Sequence, residues 1–410
     1  MTRTSSQAAP PPQSTTSSSG NLLGSIAFIA GTTIGAGILA LPAVTQSAGA
    51  LPATVALIGT WLYMVASALL LVEVNANLTP TDLESRAKLP ELAVNRPHTQ
   101  GILTMARQTL GHRGAIAGGL IYCFLHYALL VAYLARGGEI LHAATGNFGL
   151  PAWSGPCLCA LCLGSPLVFG SHRFVTRINS LLLLGAIAVF CIPIVFCLPQ
   201  ITPARLLVAH WEAIARPIPV LLVALVFHNT LPTVSAQLDG NIPRIRRAIL
   251  IGSAIPLVMF LIWNVVILGS TDPMVFSNAA RFDPIEQLAA RESSGLLPAS
   301  ILLFSGLAIA TSFIGFVYGL LEFYGDLWPA GGRRAFALVL VPPLLCALAI
   351  PEAFFTALDY AGIFGITILF GILPAAMAWQ QRRLHDALTA ATHGSSSSVC
   401  PPLLPGTRWS

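Results

Sequence analysis

The chain has 410 residues, of which 9% are charged and 55% are hydrophobic, and its mean hydropathy is +0.76. A soluble protein has a charged fraction of about 25%, so this composition excludes a soluble globular protein. The net charge of +5 does not indicate nucleic-acid binding, because the basic residues lie in short segments between long apolar runs. Each of these runs is long enough to cross a bilayer core of about 30 Å.

The apolar runs predict ten membrane-spanning helices, because a backbone in lipid must satisfy its own hydrogen bonds. In chain order the spans are residues 21–44, 51–77, 115–143, 152–170, 175–198, 216–237, 247–269, 297–321, 335–350 and 355–379. Polar, low-complexity sequence flanks them, and we expect disordered tails over residues 1–20 and 388–410. The predicted fold class is therefore an all-α polytopic membrane protein.

The eight cysteines show no disulfide framework. Cys157, Cys159 and Cys162 stand together in the apolar run CLCALC. A metal site there would need thiolates in lipid and further ligands nearby. We interpret these cysteines as packing residues and expect no metal ion and no cofactor.

The basic residues predict that both termini lie in the cytoplasm. With that orientation, 16 of the 21 Lys and Arg residues lie on the inner side and 5 on the outer side. Such an excess on the inner side is the usual topological signal of membrane proteins. A bacterial inner membrane is the first expectation for the location. A plastid envelope is the alternative, because the N-terminal tail is Ser-rich and free of acidic residues.

Two long connections indicate an inverted repeat. Residues 78–114 follow span 2 on the inner side, and residues 270–296 follow span 7 on the outer side. An odd number of spans turns the second half over, so matching loops on opposite faces are typical of inverted repeats in transporters. We place the first five-helix repeat at 21–198 and the second at 216–379.

Span 1 contains the stretch GTTIGAGILALP, which weakens the middle of the helix. Its glycines are Gly31, Gly35 and Gly37. Each glycine costs about 1 kcal/mol relative to alanine in a helix, while the hydroxyls of Thr32 and Thr33 can bond backbone groups. An unwound backbone at membrane depth is tolerated where it lines a cavity. A second half-helix beginning near Ala36 would point free amides at a carboxylate. Close helix packing through small residues is the alternative interpretation.

Span 6, which includes IPVLLVALVFHNTLPTVSAQL, is interrupted at midspan by His228, Asn229 and Thr230, with Pro232 following. A proline removes one helical hydrogen bond and obstructs another. Spans 1 and 6 are corresponding members of the two predicted repeats. Interrupted helices at corresponding positions are the best sequence indication of a transporter's binding site.

GTTIGAGILALP and FHNTLP, followed by NIPRIRRAILIGSAIPLVMFLIWNVVILG through span 7, resemble the aromatic amino acid permeases. These are the tyrosine- and tryptophan-specific transporters of the hydroxy/aromatic amino acid permease family, within the amino acid–polyamine–organocation superfamily. LLLVEVN, GGEIL and ATSFIGF, in spans 2, 3 and 8, are similar to that family as well. The resemblance covers the chain from about Asn21 to the tenth span. Members of the family commonly have an eleventh span, whereas ten are predicted here. This difference leaves the oligomeric state open.

The resemblance implies a LeuT-like fold with helices 1 and 6 broken, and proton-coupled uptake of tyrosine or tryptophan by alternating access. It implies that half-helix amides bind the substrate's carboxylate, that carbonyls at both breaks bind its ammonium group, and that Phe227 borders its side chain. The substrate-binding residues expected on this basis are Gly31, Thr32, Thr33, Ile34, Gly35, Ala36, Gly37, Phe227, His228, Asn229 and Thr230.

Polar residues within the spans are candidates for ion coupling. Glu73, at the inner end of span 2, is either a proton site or a partner of the interface or of a neighbouring helix. His228 has an ordinary pKa of about 6.5, which suits protonation, but it could equally remain neutral and hydrogen-bonded. Thr311 and Ser312 stand where sodium-coupled members of the wider fold bind an ion, so sodium coupling stays an alternative. We interpret His126 in span 3 as a hydrogen-bonded interior histidine.

Arg136 and Glu139 are three residues apart near the outer end of span 3, so they share a helix face and can pair. We interpret them as a structural ion pair, with an outer gate as the alternative.

Other functional classes lack their motifs. The sequence contains no HExxH, no GxSxG and no GxxxxGK[ST], which argues against an enzyme and against an ATP-driven pump. The alternatives that stay open are a carrier of serine, threonine or branched-chain amino acids, a sodium-coupled or facilitative carrier, and an amino acid sensor.

Overall fold

The computed structural model of the chain describes residues 19–78, 101–145, 149–271, 295–327, 332–350 and 353–395, and the regular structure within these ranges is helical. In chain order the helices are α1 (Ser19–Thr33), α2 (Gly37–Thr45), α3 (Ala50–Ala76), α4 (Ile102–Ala144), α5 (Ser154–Phe169), α6 (His172–Cys197), α7 (Pro203–Leu206), α8 (Ile218–Ala224), α9 (Leu231–Gln237), α10 (Ile242–Ser270), α11 (Leu296–Leu327), α12 (Gly332–Ala349), α13 (Ala353–Tyr360) and α14 (Leu373–Ser395). A π-helical stretch, Ala361–Ile372, joins α13 to α14 and is called the π segment below.

Ten stretches of the described residues correspond to the ten predicted spans. Seven are long and apolar enough to cross a membrane, and the bent pair formed by α1 and α2 adds an eighth. Two shorter apolar helices, Ser154–Phe169 and Arg334–Ala349, add the others. The protein is therefore a multi-pass integral membrane protein.

Helix α4 begins well before the predicted third span. It starts at Ile102, inside the connection predicted at 78–114, and bends at Gly111, where φ is 77° and ψ is −169°. Only glycine adopts such a positive φ at little cost. Ile102 and Met105 are buried, so the segment before the bend packs an apolar face against the bundle. The sequence predicts a connection here because polar residues are interspersed among the few apolar residues of this short segment.

Helices extend into the ranges predicted for both tails. Helix α1 begins at Ser19, and α14 continues to Ser395, eight residues into the tail predicted at 388–410. The stretch HDALTAAT near the end of α14 contains three alanines, and alanine is the best helix former, so the membrane helix can extend into polar sequence. Residues 1–18 and 396–410 and most of the outer connection, 272–294, lie outside the described residues.

The two interrupted spans lie side by side in the centre of the bundle. Helix α2 packs on α8, and α1 contacts the turn between α8 and α9. Helix α10 packs against α1, α2 and α3, while the π segment packs against α8 and α4. The breaks are thus enclosed by other helices. The largest fully buried aromatic side chains are Trp263, Phe227, Phe260, Phe304, Phe313 and Phe370.

Candidate functional site

The first span is broken where its sequence predicts. Helix α1 ends at Thr33, α2 begins at Gly37, and the two helices are bent by 53°. Residues 34–36 between them are not helical. The amide of Ile38 donates to the carbonyl of Gly35 at 3.2 Å, which closes the first turn of α2. The prediction of an unwound backbone in this stretch is confirmed.

The threonine hydroxyls before the break bond to α1 itself. Thr33 donates to the carbonyl of Ile29 at 2.7 Å, and Thr32 donates to the carbonyl of Phe28 at 2.7 Å. Bonds of this kind to the carbonyl four residues earlier are typical of threonine within helices. Thr33 is buried and Thr32 is exposed.

Three consecutive residues at the break pack tightly against neighbouring helices. The amide of Ala36, a predicted carboxylate ligand, donates to the hydroxyl of Ser312 on α11 at 2.9 Å. A side chain at Gly35 would overlap that same hydroxyl. A Cβ at Gly37 would lie 2.7 Å from the Cα of Ala224, the last residue of α8. Glycine is required at position 37 because backbone atoms occupy the space a side chain would need, whereas a side chain at position 35 would have to displace the Ser312 hydroxyl.

The sixth span is broken at FHNT. Phe227 leaves the helical conformation at φ −137°, and His228–Thr230 form a single turn of 3-10 helix. The carbonyl of Phe227, a predicted ammonium ligand, accepts from the Thr230 amide at 2.9 Å and from its hydroxyl at 2.6 Å. Pro232 lies in the first turn of α9, where its missing N–H removes no helical bond. The proline therefore starts the second half-helix.

His228 is enclosed by aromatic rings. Its ring is fully buried and stacks on Phe227 at 5.0 Å between centroids and on Phe370 of the π segment at 4.6 Å. The imidazole also faces the backbone of Met64 on α3. The next residue, Asn229, is exposed. Of these two predicted site residues, Asn229 faces open space and His228 faces the protein interior.

Only one of the two predicted hydroxyls on α11 reaches the break. Ser312 accepts from Ala36 and also interacts with the hydroxyl of Tyr133 on α4. Thr311 instead donates to the carbonyl of Ala308 on its own helix at 3.0 Å. Sequence reasoning missed Tyr133. A tyrosine in midspan was visible, but the sequence does not show which face of span 3 meets span 8.

Glu73 lies away from the breaks. It is nine residues beyond Met64 on α3, about 14 Å along the helix. Arg382 of α14 binds its carboxylate with two nitrogens, at 2.9 and 2.8 Å. The side chain of Gln381 adds a bond to the carbonyl of Val74 at 3.1 Å. Of the alternatives predicted for Glu73, a bond to a neighbouring helix is the one observed, and the coupling role stays a prediction.

The predicted pair on span 3 is present. Arg136 Nη1 lies 2.8 Å from Glu139 Oε2, and the Arg136 guanidinium lies 5.9 Å from the ring centroid of Phe354 on α13. Arg136 is one turn beyond Tyr133 on the outer side of the break. The pair therefore lies where spans 3 and 10 meet, and its gate role stays a prediction.

The cysteines of α5 have different surroundings. Cys159 is buried and lies against Gly137 of α4, Cys157 is half-buried and Cys162 is exposed. Across the described ranges, no group of three or more His, Cys, Asp or Glu side chains could hold a metal ion.

Two broken helices facing each other within a helical membrane bundle are the architecture of a secondary transporter. The fold is similar to that of MhsT in its crystal structure with L-phenylalanine, with a TM-score of 0.53, 15% sequence identity and coverage of 86% of this chain and 88% of that one. The protein has a LeuT-like fold. Residues 18–399 match the tryptophan/tyrosine permease family, and the chain belongs to this family of permeases, which are transporters and not enzymes.

Similar relatives extend over nearly the whole chain. The tyrosine-specific transport system 2 of Haemophilus influenzae is 32% identical over 398 residues, covering 93% of this chain and 93% of the relative. The tryptophan-specific transport protein of Pseudomonas aeruginosa is 28% identical over 407 residues, covering 94% of this chain and 92% of the relative.

Proposed function

We propose that this permease imports aromatic amino acids, tyrosine or tryptophan, by proton-coupled symport. The observation that carries the proposal is the junction of the two breaks, where the amide end of α2 packs against the end of α8, three residues before the buried Phe227. The names of the relatives, tyrosine-specific and tryptophan-specific transport proteins, support the choice of substrate.

The chemistry of the junction suits an amino acid. The first turn of α2 offers backbone amides and the positive end of a helix dipole, which favour a carboxylate. Carbonyls of the unwound stretches offer acceptors for an ammonium group. The rings of Phe227, Phe316 and Tyr133 supply the aromatic surface that a phenol or indole side chain prefers. Substrate binding displaces Ser312 from the amide of Ala36 in this proposal.

The packing of the two sides of the junction supports an inward-open state. On the outer side, Gly362 of the π segment lies directly against the backbone of Pro219 at the start of α8. On the inner side of the break, Thr32, Asn229 and Gly315 are exposed, and the space beside Gly315 is open. Exposed polar groups at membrane depth belong in a water-filled cavity and not in lipid. Transport then proceeds by alternating access, with the broken helices closing one side as the other opens.

The choice of protons as the coupling ion follows the resemblance to the aromatic amino acid permeases. The oxygen of Ser312 accepts the Ala36 amide hydrogen, and the hydroxyl of Thr311 donates to its own helix and keeps its lone pairs. Sodium coupling therefore stays the alternative. We place the protein in a bacterial inner membrane with both termini in the cytoplasm, on the basis of the 16 to 5 distribution of basic residues.

Tyrosine uptake into proteoliposomes tests the proposed function. With an inward proton gradient and no sodium, we expect transient accumulation of tyrosine above equilibrium, abolished by a protonophore. Equilibration without accumulation would contradict proton coupling. No tyrosine flux in protein shown to be folded would contradict the substrate assignment, and tryptophan, serine and leucine would be tested next.

Replacing Glu73 by glutamine is expected to leave proton-driven uptake within about threefold of wild type, because a partly exposed ion pair contributes below about 1 kcal/mol. The pH dependence of uptake should not change. Arg382→Gln, which removes the other half of the same pair, is the matched control. Loss of pH dependence in Glu73→Gln but not in Arg382→Gln would assign proton coupling to Glu73 instead.

A further inference from the structure

His126, in the middle of α4, is buried among aromatic rings. Its side chain is 1% exposed. Its ring lies 3.9 Å from the ring centroid of Tyr122 and 5.2 Å from that of Phe316 on α11. A buried polar ring is costly unless its nitrogens find hydrogen-bond partners.

Within the part of the chain that the structure describes, one nitrogen of His126 has a hydrogen-bond partner. Nδ1 lies 2.9 Å from the carbonyl of Tyr122, so Nδ1 carries a hydrogen and donates it. In the neutral ring, Nε2 is then a bare lone pair. Nε2 is buried without a hydrogen-bond partner among the described residues. The sequence-based interpretation of a hydrogen-bonded interior histidine therefore holds for one nitrogen and leaves a basic nitrogen unused.

Nε2 points at a face of α11 that runs from the break to the inner end of the helix. A Cβ built on Gly319 would lie 2.9 Å from Nε2 and 3.1 Å from the hydroxyl of Tyr122. The spacing of Gly315, Gly319 and Glu322 places them on one helix face. Gly315 and Glu322 are exposed. Exposed residues about one turn away on either side therefore flank the contact between Gly319 and the unused nitrogen.

The same ring is connected to the candidate substrate site. Phe316 contacts His126 and also Tyr133, whose ring centroid lies 5.8 Å away. Tyr133 interacts with Ser312, which holds the amide of Ala36 at the break. A change of charge at His126 can therefore reach the break through side chains in direct contact.

The titratable groups around His126 are few. On its own helix the titratable groups are Tyr122, which His126 contacts directly, and Tyr133, which contacts the shared neighbour Phe316. Helix α11 contributes the exposed Glu322. A neighbouring face holds Cys123, Tyr127 and Tyr324, which interact with one another. Helix α12 reaches this neighbouring face through Leu338, and α5 and α13 contact α4 nearer its outer end. The π segment and the first nine residues of α14, which also pack on α4, contain no titratable side chain.

We propose that Nε2 of His126 takes up the proton that moves with the substrate, an assignment that rests on the proton-coupled uptake proposed above. The proton comes from water in the outward-open state and converts the ring to an imidazolium with a hydrogen on each nitrogen. It leaves to water along the Gly315–Glu322 face in the inward-open state. The neutral ring, with Nε2 bare, corresponds to the state after release.

The test uses His126→Asn in full-length protein in proteoliposomes. The asparagine amide can still donate to the Tyr122 carbonyl but has no basic nitrogen. His112→Asn, at an exposed position on the inner side of α4, is the matched control. Three quantities are measured: proton-driven tyrosine accumulation, tyrosine exchange at equal concentrations, and tyrosine-induced acidification of the lumen.

We expect His126→Asn to lose accumulation and acidification by about tenfold or more, while exchange stays within about threefold of wild type and loses its dependence on pH. His112→Asn should behave as wild type. Tyrosine-induced acidification by His126→Asn at the wild-type level would overturn the assignment. Equal loss of exchange and accumulation would also overturn it, because it would assign His126 a structural role. Failure of the wild type itself to accumulate tyrosine would instead refute the proposed proton coupling.

A glycine pair gives an independent check. Gly319→Ala places a Cβ against Nε2, whereas Gly315→Ala meets open space. We expect Gly319→Ala to shift the pH profile of uptake and Gly315→Ala to leave it unchanged. Identical, wild-type profiles for both variants would contradict the proposed role of Nε2.

Discussion

Replacing Gly37 by alanine is expected to abolish tyrosine uptake while the protein still folds in the membrane. The added Cβ would lie 2.7 Å from the Cα of Ala224, so α2 and α8 must separate. These two half-helices form the junction proposed to bind the substrate. A displacement of about 1 Å at such a site lowers the rate by about 100-fold, and we expect at least that loss in initial uptake rate.

The matched control for this change is Gly306→Ala in α11. Gly306 is a half-buried helical glycine in a span, whereas Gly37 is buried, and a Cβ at Gly306 meets open space. Uptake and thermal stability in detergent are measured for both variants. Wild-type uptake by Gly37→Ala would contradict the placement of the site between α2 and α8. Equal loss in Gly306→Ala would show that the effect is a general one of adding a methyl group.

Replacing Ser312 by alanine is expected to lower uptake by about tenfold. Its hydroxyl accepts from the amide of Ala36, which is fully buried. A buried amide left without an acceptor costs about 1–3 kcal/mol, so the unliganded break loses its present geometry. The measurement is initial tyrosine uptake under a proton gradient, with the amount of folded protein checked by size-exclusion chromatography.

Thr311→Val is the control for Ser312→Ala, because it removes a hydroxyl that donates to the carbonyl of Ala308 within α11. We expect Thr311→Val to keep uptake within about threefold of wild type. The lost hydrogen bond lies within one helix and contributes about 1 kcal/mol to the free energy of unfolding. A loss in Thr311→Val as large as in Ser312→Ala, restored by sodium, would favour a sodium site built from both hydroxyls.

The two breaks could be predicted from the sequence because their signals are local. Glycines in span 1 and FHNTLP in span 6 weaken a helix whatever surrounds them. The spacing of Arg136 and Glu139 likewise predicts their contact, since both lie on one helix. Seven of the predicted spans, and an eighth from the bent pair, follow from the length and hydropathy of each segment alone. The boundaries of the two repeats stay a prediction.

Contacts between distant helices could not be predicted in the same way. Tyr133 reaches Ser312, and Phe370 reaches His228, only because α4 and the π segment take particular rotations about their axes. Those rotations depend on the packing of the whole bundle. The same limitation applies to Glu73, whose partner Arg382 is 309 residues away in the sequence. The sequence gives the type of each of these residues, but it does not give their partners on other helices.

Competition for tyrosine binding tests the central claim most directly. The purified wild-type protein is incubated with radiolabelled tyrosine and an excess of one unlabelled amino acid, and the bound label is measured. If the junction of the broken helices is an aromatic amino acid site, tryptophan and phenylalanine displace the label, serine and leucine do not, and Gly37→Ala binds none. Displacement by serine or leucine as complete as by tryptophan would contradict the aromatic assignment. Undiminished binding by Gly37→Ala would contradict the site.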